Sequence, residues 1–181
     1  MTSFPELLSY ATNKTRVLIC TSPPSIIRLI IEVLNFYVKE FDYFLEDGSS
    51  KIEANDFVIL ETSDLEKATQ FKANIFFIST EINSDQIDSG LKNITPGGIL
   101  VYPTVLENTV EDCQHFFRLL PFADSLFQKN DNDFILNTEI GSIPLKSTEE
   151  NLIQNLEGIK LLCQQFGVME EEFYEPVMNF E

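Results

Sequence analysis

The chain has 181 residues, 44% hydrophobic and 23% charged, which is enough for one buried core and short for two ordinary domains. Its 12 Lys and Arg against 29 Asp and Glu give a formal net charge of -17, which repels phosphate backbones and anionic bilayers, so nucleic acid and membrane surfaces are excluded as partners. Cys20, Cys113 and Cys163 are odd in number, far apart and set among apolar neighbours, so they are expected to be reduced and buried in a cytoplasmic protein. No apolar run approaches the ~20 residues of a membrane span, and the opening MTSFPELLSYATNK lacks the charged-then-apolar order of a signal peptide.

Residues 1–14 read as an N-terminal packing arm with a short helix around Pro5 to Ala11. RVLIC, Arg16 to Cys20, is a β-branched apolar run stopped by Thr21-Ser22-Pro23-Pro24, a strand followed by a turn. Pro23 or Pro24 suits a first helical turn and Ser22 can cap it. The helix then carries Ile26, Ile27, Ile30, Ile31, Leu34 and Val38 at spacings of three and four, a stripe that faces a sheet.

Further strands are expected at Phe41 to Leu45, Asp56 to Glu61, Ile75 to Ser79 and Ile99 to Tyr102, with helices over Asp64 to Gln70, Ser84 to Asn93 and Glu107 to Leu120. This alternation predicts an α/β fold with a mainly parallel central sheet covered on both faces, a three-layer α/β/α arrangement. Short strands follow at Ser125 to Gln128, Phe134 to Asn137 and Ile143 to Lys146. C-terminal helices fill 147–181: Ser147 with Glu150 fits a capping box, Gly167 fits a helix stop, and three glutamates open a last helix near Met169 as the helix dipole favours. The chain is expected to be a single domain over 1–181.

Function is sought where strands end, because ligands of open α/β sheets bind at the carboxyl edge. Thr21-Ser22-Pro23-Pro24-Ser25 stands where many such proteins hold phosphate. A phosphate loop needs glycines, so that backbone N–H groups can close on the oxygens, and a lysine for the outer phosphates. Neither occurs between Val17 and Val38, and two prolines remove two amide donors. The missing glycine turn also argues against an S-adenosylmethionine site, which LKNITPGGILVYP would otherwise suit. His115, the sole histidine, has no cysteine or carboxylate partner at ligand spacing and receives no catalytic role. Glu61, Asp64, Glu81 and Asp85 make an acidic edge that either is solvated or holds a cation or basic ligand.

Three stretches carry a resemblance to the central, ATP-binding domain of the Mur ligases, in the branch that joins UDP-N-acetylmuramate to L-alanine or to a recycled peptide. FVILETSD, Phe57 to Asp64, resembles a strand running into LEGDE or LESDE. TEINSDQID, Thr80 to Asp88, resembles TNIEADHMD without a gap, and PLKSTEENLIQNLEGI, Pro144 to Ile159, resembles PLKVFGEHNLQNLNGA, also ungapped. FYEPVMNF, Phe173 to Phe180, is similar to the segment that closes that domain. The resemblance covers nearly the whole chain and implies a P-loop-NTPase-like Mur ligase central domain.

What the resemblance implies of the site is a remnant. The family's GTxGKT loop falls on Thr21 to Ser25. The histidine and glutamate of the DH motif fall on Gln86 and Asn83, and the histidine and first asparagine of HNxxN fall on Asn151 and Leu152. Glu61, Asp85 and Asn155 keep family-like chemistry, so Glu61 and Asp85 are the residues to hold magnesium if any metal binds. Asp64, Asn83, Gln86 and Asn151 complete the vestigial edge. The family's UDP-gripping and C-terminal domains are expected to be missing. The expectation is therefore a non-catalytic Mur-ligase-like protein of bacterial cell-wall metabolism, with no cofactor and a binding or regulatory role toward a Mur ligase or another cell-wall enzyme. ATP and magnesium enter only if it is instead a subunit of a split ligase. The third alternative is a module binding a cation or small ligand at the acidic edge.

Overall fold

A computed structural model of the protein describes residues 3–83, 87–113, 116–130 and 133–181. In chain order its elements are α1 (Phe4–Ala11), β1 (Thr15–Cys20), α2 (Pro24–Phe36), β2 (Asp42–Phe44), β3 (Ser50–Lys51), β4 (Phe57–Glu61), α3 (Leu65–Phe71) and β5 (Ile75–Ile78). There follow α4 (Asp88–Leu91), β6 (Ile99–Pro103), a 3-10 turn (Thr104–Leu106), α5 (Glu107–Glu111) and β7 (Arg118–Phe122). The last stretch holds β8 (Phe127–Asn130), β9 (Asp133–Thr138), β10 (Gly141–Leu145), α6 (Glu150–Gln154), α7 (Leu156–Gln164) and α8 (Glu170–Asn179). Two compact units form, Met1–Ser22 with Glu40–Pro121, and Pro23–Lys39 with Phe122–Glu181.

The first unit is built on a seven-stranded sheet in the order β3-β2-β4-β1-β5-β6-β7. The β2–β4, β4–β1, β1–β5 and β5–β6 pairs are parallel, and β2–β3 is antiparallel. This is the expected α/β class with a mainly parallel sheet. The apolar runs of β1, β4 and β5 are buried on both faces, as crossover-connected strands must be: Val17, Leu18, Ile19, Val58, Ile59, Phe76 and Phe77 are each at most 1% exposed. One face of the unit joins Leu7 and Ala11 of α1 to Leu18, Val58, Phe71, Phe76 and Leu100 in a single apolar core. The N-terminal arm is tied down by Asp42, which is fully buried. Asp42 accepts from the Tyr10 hydroxyl and from the Glu53 and Asn55 N–H groups at 2.8 and 3.1 Å, with the Lys14 ammonium 3.8 Å away.

The second unit combines α2, α6, α7 and α8 with an antiparallel sheet in the order β10-β9-β8. The α2 stripe buries Ile26, Ile27, Leu29, Ile30, Val33 and Leu34. The Tyr37 hydroxyl donates to the Glu172 carbonyl at 2.6 Å, fastening the end of α2 to α8. Gly167 takes φ 76 after α7, the left-handed stop expected there.

Several local expectations are corrected. Ser22 does not cap α2: Pro23 holds the N-cap position, with no side-chain cap. Val38 is not on the stripe; the helix ends at Phe36, and Val38 has φ 52 and is 85% exposed. The helix over Glu107 to Leu120 stops at Glu111 because the following chain returns to the sheet edge, where the Arg118 N–H donates to the Gly98 carbonyl at 2.9 Å and Pro121 is tolerated. The helix expected over Ser84 to Asn93 is confined to Asp88–Leu91 among the described residues. The Ser147 capping box is absent, since its hydroxyl accepts the Glu149 N–H at 3.4 Å in a local turn and Glu149 becomes the N-cap.

Candidate functional site

The carboxyl ends of β1 and β5 lie side by side, with Cys20 opposite Ile78. The loops leaving them therefore start from one edge, and the Ser79 N–H to Cys20 carbonyl bond at 3.1 Å carries the pairing one residue further. Two residues later Glu81 turns back onto the β1 loop. Its Oε1 accepts the Thr21 hydroxyl at 3.0 Å, the Ser22 backbone N–H at 2.9 Å and the Ser79 hydroxyl. The Ser79 hydroxyl also lies 3.1 Å from the Cys20 carbonyl; its single proton serves one acceptor at a time. Thr21 and Ser79 are buried. The second carboxylate oxygen, Oε2, is buried without a hydrogen-bond partner among the described residues. Burial, and then the charges of Glu81 and Glu46, push the Cys20 thiol up to about 12.

This geometry bears on nucleotide chemistry. A phosphate at this loop needs amide and hydroxyl donors and a compensating cation. Here the Ser22 amide and the Thr21 hydroxyl already serve a carboxylate, which is itself anionic and would repel phosphate. Pro23 and Pro24 offer no N–H. The Ser25 hydroxyl, at the start of α2 in the second unit, is buried and without a partner among the described residues. The residues present do not fit a nucleotide phosphate.

A second feature of the same unit lies at the ends of β2 and β4. Glu61 closes β4, only 8% exposed, and its Oε2 accepts the Glu46 N–H at 3.2 Å. Burial raises its carboxyl above the usual range; the Glu46 N–H bond opposes this, and the Glu46 and Asp47 charges add to it. The exposed Glu46 carboxylate is fixed in turn by the Ser63 N–H at 2.6 Å, the Ser63 hydroxyl at 2.8 Å and the Thr62 hydroxyl at 3.3 Å. Between these groups and α1 opens a cleft of about 420 Å³.

Of the residues expected at the acidic edge, Asp64 is committed to its own helix: its Oδ1 accepts the Glu66 and Lys67 N–H groups at 3.0 and 3.3 Å as the α3 N-cap. Asn83 is exposed. Asp85, Gln86 and His115 lie outside the described residues. Among the described residues no three His, Cys, Asp or Glu side chains gather in a group that could hold a metal ion. Asn151 on α6 is exposed, and Asn155, fully buried between α6 and α7, donates its amide to the Asn151 carbonyl at 2.8 Å. All three cysteines are buried, and among the described residues no helix is long and apolar enough to cross a membrane.

Three site residues were not visible as partners beforehand. Glu81 read as one acid on an edge, and its pairing with Thr21 and Ser22 closes sixty residues of chain that no local pattern encodes. Glu46 read as a turn residue of EDGSS, and Ser79 as the end of a strand. The only local signal was that Ser79 directly follows a buried apolar run, with Glu81 two residues beyond it.

No family model and no curated protein matches the sequence. In fold, the chain is similar to solved Mur ligases. Against UDP-N-acetylmuramate:L-alanyl-gamma-D-glutamyl-meso-diaminopimelate ligase from Neisseria meningitides the TM-score is 0.73 at 10% identity, covering 98% of this chain and 70% of that one. MurF from Acinetobacter baumannii gives 0.68 at 12% identity, with 98% and 49% covered. UDP-N-acetylmuramate-alanine ligase MurC from Thermotoga maritima gives 0.67 at 12% identity, with 98% and 47% covered. The chain thus has a Mur-ligase-like fold and spans about half the length of the MurF and MurC structures.

Proposed function

We propose that this protein is a non-catalytic relative of the Mur ligases, a binding or regulatory protein on the ligase fold that acts in cytoplasmic peptidoglycan-precursor metabolism. The observation that supports it is the seating of the Glu81 carboxylate on the Thr21 hydroxyl and the Ser22 N–H. Phosphoryl transfer relies on a cation and aligned donors to offset charge on the transferred group. Removing one such contact costs roughly two to three orders of magnitude in rate, and here a carboxylate stands in place of several. The fold survives because its core needs apolar strands and not the loop that the chemistry needs.

The regulatory part of the reading rests on the shared fold: a chain shaped like part of a Mur ligase can compete for, or pair with, a surface that an intact ligase uses. The test is calorimetric titration of the chain with ATP in the presence of magnesium, beside an intact Mur ligase as positive control. No saturable binding by this chain is expected. Submillimolar affinity would overturn the non-catalytic reading and return the chain to the ATP-dependent amide ligases, as a subunit that takes its missing groups from a partner.

A further inference from the structure

The cleft beside Glu61 is separate from the β1 loop and has the composition of a small-ligand site. Its volume, about 420 Å³, lies within the roughly 300–1,000 Å³ of such sites. Phe4 and Leu7 from α1 and Phe44 and Leu60 from the sheet give it apolar walls. Its charged groups are unequal. Glu61 is nine-tenths buried, and while Oε2 takes the Glu46 N–H, Oε1 has no partner among the described residues. Glu46 stands at the rim, held in place by Ser63 and Thr62. Lys67, the cation that lines the cleft, sits 3.6 Å from the Asp64 carboxylate and is half exposed. Two carboxylates against one already paired ammonium leave the cleft anionic.

A carboxylate oxygen that takes no donor from the protein can accept a charged donor from a ligand, and such charge-assisted hydrogen bonds are the stronger class. A bare metal ion finds too few ligands here, since no three candidate groups converge among the described residues. An anionic ligand meets repulsion from Glu46 and Glu61. We propose that this cleft binds an organic primary ammonium carried on an apolar body, its nitrogen on Glu61 Oε1 and within reach of Glu46, and its carbon skeleton against Phe4, Leu7, Phe44 and Leu60. The chain's net charge of -17 raises the local concentration of such cations.

The site does not depend on the nucleotide reading, since ATP binding at the β1 loop would leave it standing. The probe is phenethylamine, titrated into the full chain near neutral pH by calorimetry and by amide shifts in heteronuclear NMR, with 2-phenylethanol as the neutral isostere and magnesium chloride as the inorganic cation. Saturable binding of the amine is expected, with shifts at the Glu46, Gly48 and Ser49 amides. Glu61→Gln, and the alcohol with the native chain, should each bind roughly tenfold more weakly or worse, the loss of one charge-assisted hydrogen bond. Absence of saturable amine binding, equal affinity for the alcohol, equal affinity in Glu61→Gln, shifts confined to other residues, or displacement of the amine by millimolar magnesium would each overturn the proposal. The shift map is read on the native chain, so the outcome stands even if the variant does not fold.

Discussion

Glu81 accepts the backbone N–H of Ser22 at 2.9 Å across 59 positions of sequence. The contact joins the loops of two adjacent parallel strands. Replacing Glu81 by Ala leaves the Ser22 amide and the Thr21 hydroxyl without their acceptor, while the Ser79 hydroxyl keeps the Cys20 carbonyl. A loss of about 2–4 kcal/mol in unfolding free energy is expected, read from urea midpoints. Glu81→Gln keeps an acceptor oxygen and should lose less than half as much. Equal, negligible losses in both variants would show the contact to be energetically idle.

Asp42 gathers four donors on one buried carboxylate, the Tyr10 hydroxyl, the Glu53 and Asn55 backbone N–H groups and the Asn55 side-chain amide, with the Lys14 ammonium 3.8 Å away. Asp42→Ala strands several buried donors at once, so a loss of about 3–5 kcal/mol is expected. Tyr10→Phe removes a single hydroxyl and should cost about 1 kcal/mol. Because the cluster fastens the arm, amide exchange in α1 should accelerate in Asp42→Ala before global unfolding does.

Cys20 supplies a pH dependence. Its thiol is raised from 9.0 to about 12, first by burial and then by Glu81 and Glu46. In the unfolded chain the thiol ionises near its ordinary value. The stabilisation linked to Cys20 is therefore complete below pH 9.0 and is lost as pH rises toward about 12. Urea midpoints followed from pH 8 to 11 should fall more steeply for the native sequence than for Cys20→Ala, other alkaline titrations being common to both. Parallel slopes would refute the assignment.

Gly158 lies on α7 where an added Cβ would stand 2.5 Å from the Phe122 ring. Alanine normally favours a helix, yet Gly158→Ala should destabilise by about 1–3 kcal/mol through overpacking. Phe122→Leu in the same background should recover part of that loss, a coupling that a double-mutant cycle in denaturant measures.

Much of the fold was legible because burial on both faces needs unbroken apolar runs. Val17 to Cys20, Val58 to Leu60 and Ile75 to Ile78 read directly as central strands, and Pro23-Pro24 marked the start of α2. The errors fall where a distant partner decides. Arg118 to Phe122 has no signal that separates an amphipathic helix from an edge strand until the Gly98 carbonyl is available to it. Ser147 looks like a cap until its hydroxyl turns to the Glu149 amide two residues on. At the site, absence was easier to read than presence: missing glycines and lysine in the β1 loop were plain, whereas the pairings of Glu81 with Ser22 and of Glu61 with the Glu46 N–H depend on strand order.

The second unit is discontinuous, made of Pro23–Lys39 and Phe122–Glu181. On the ribosome α2 therefore emerges long before α7 and α8, with which it shares its unit. Its stripe of Ile26, Ile27, Leu29, Ile30, Val33 and Leu34 has no partner of its own unit until Phe122 and the residues after it have been made. An apolar helix held waiting in this way invites chaperone capture and self-association of nascent chains. A rearranged chain in which residues 23–39 are transposed to stand directly before residue 122 would let that unit assemble from one continuous segment.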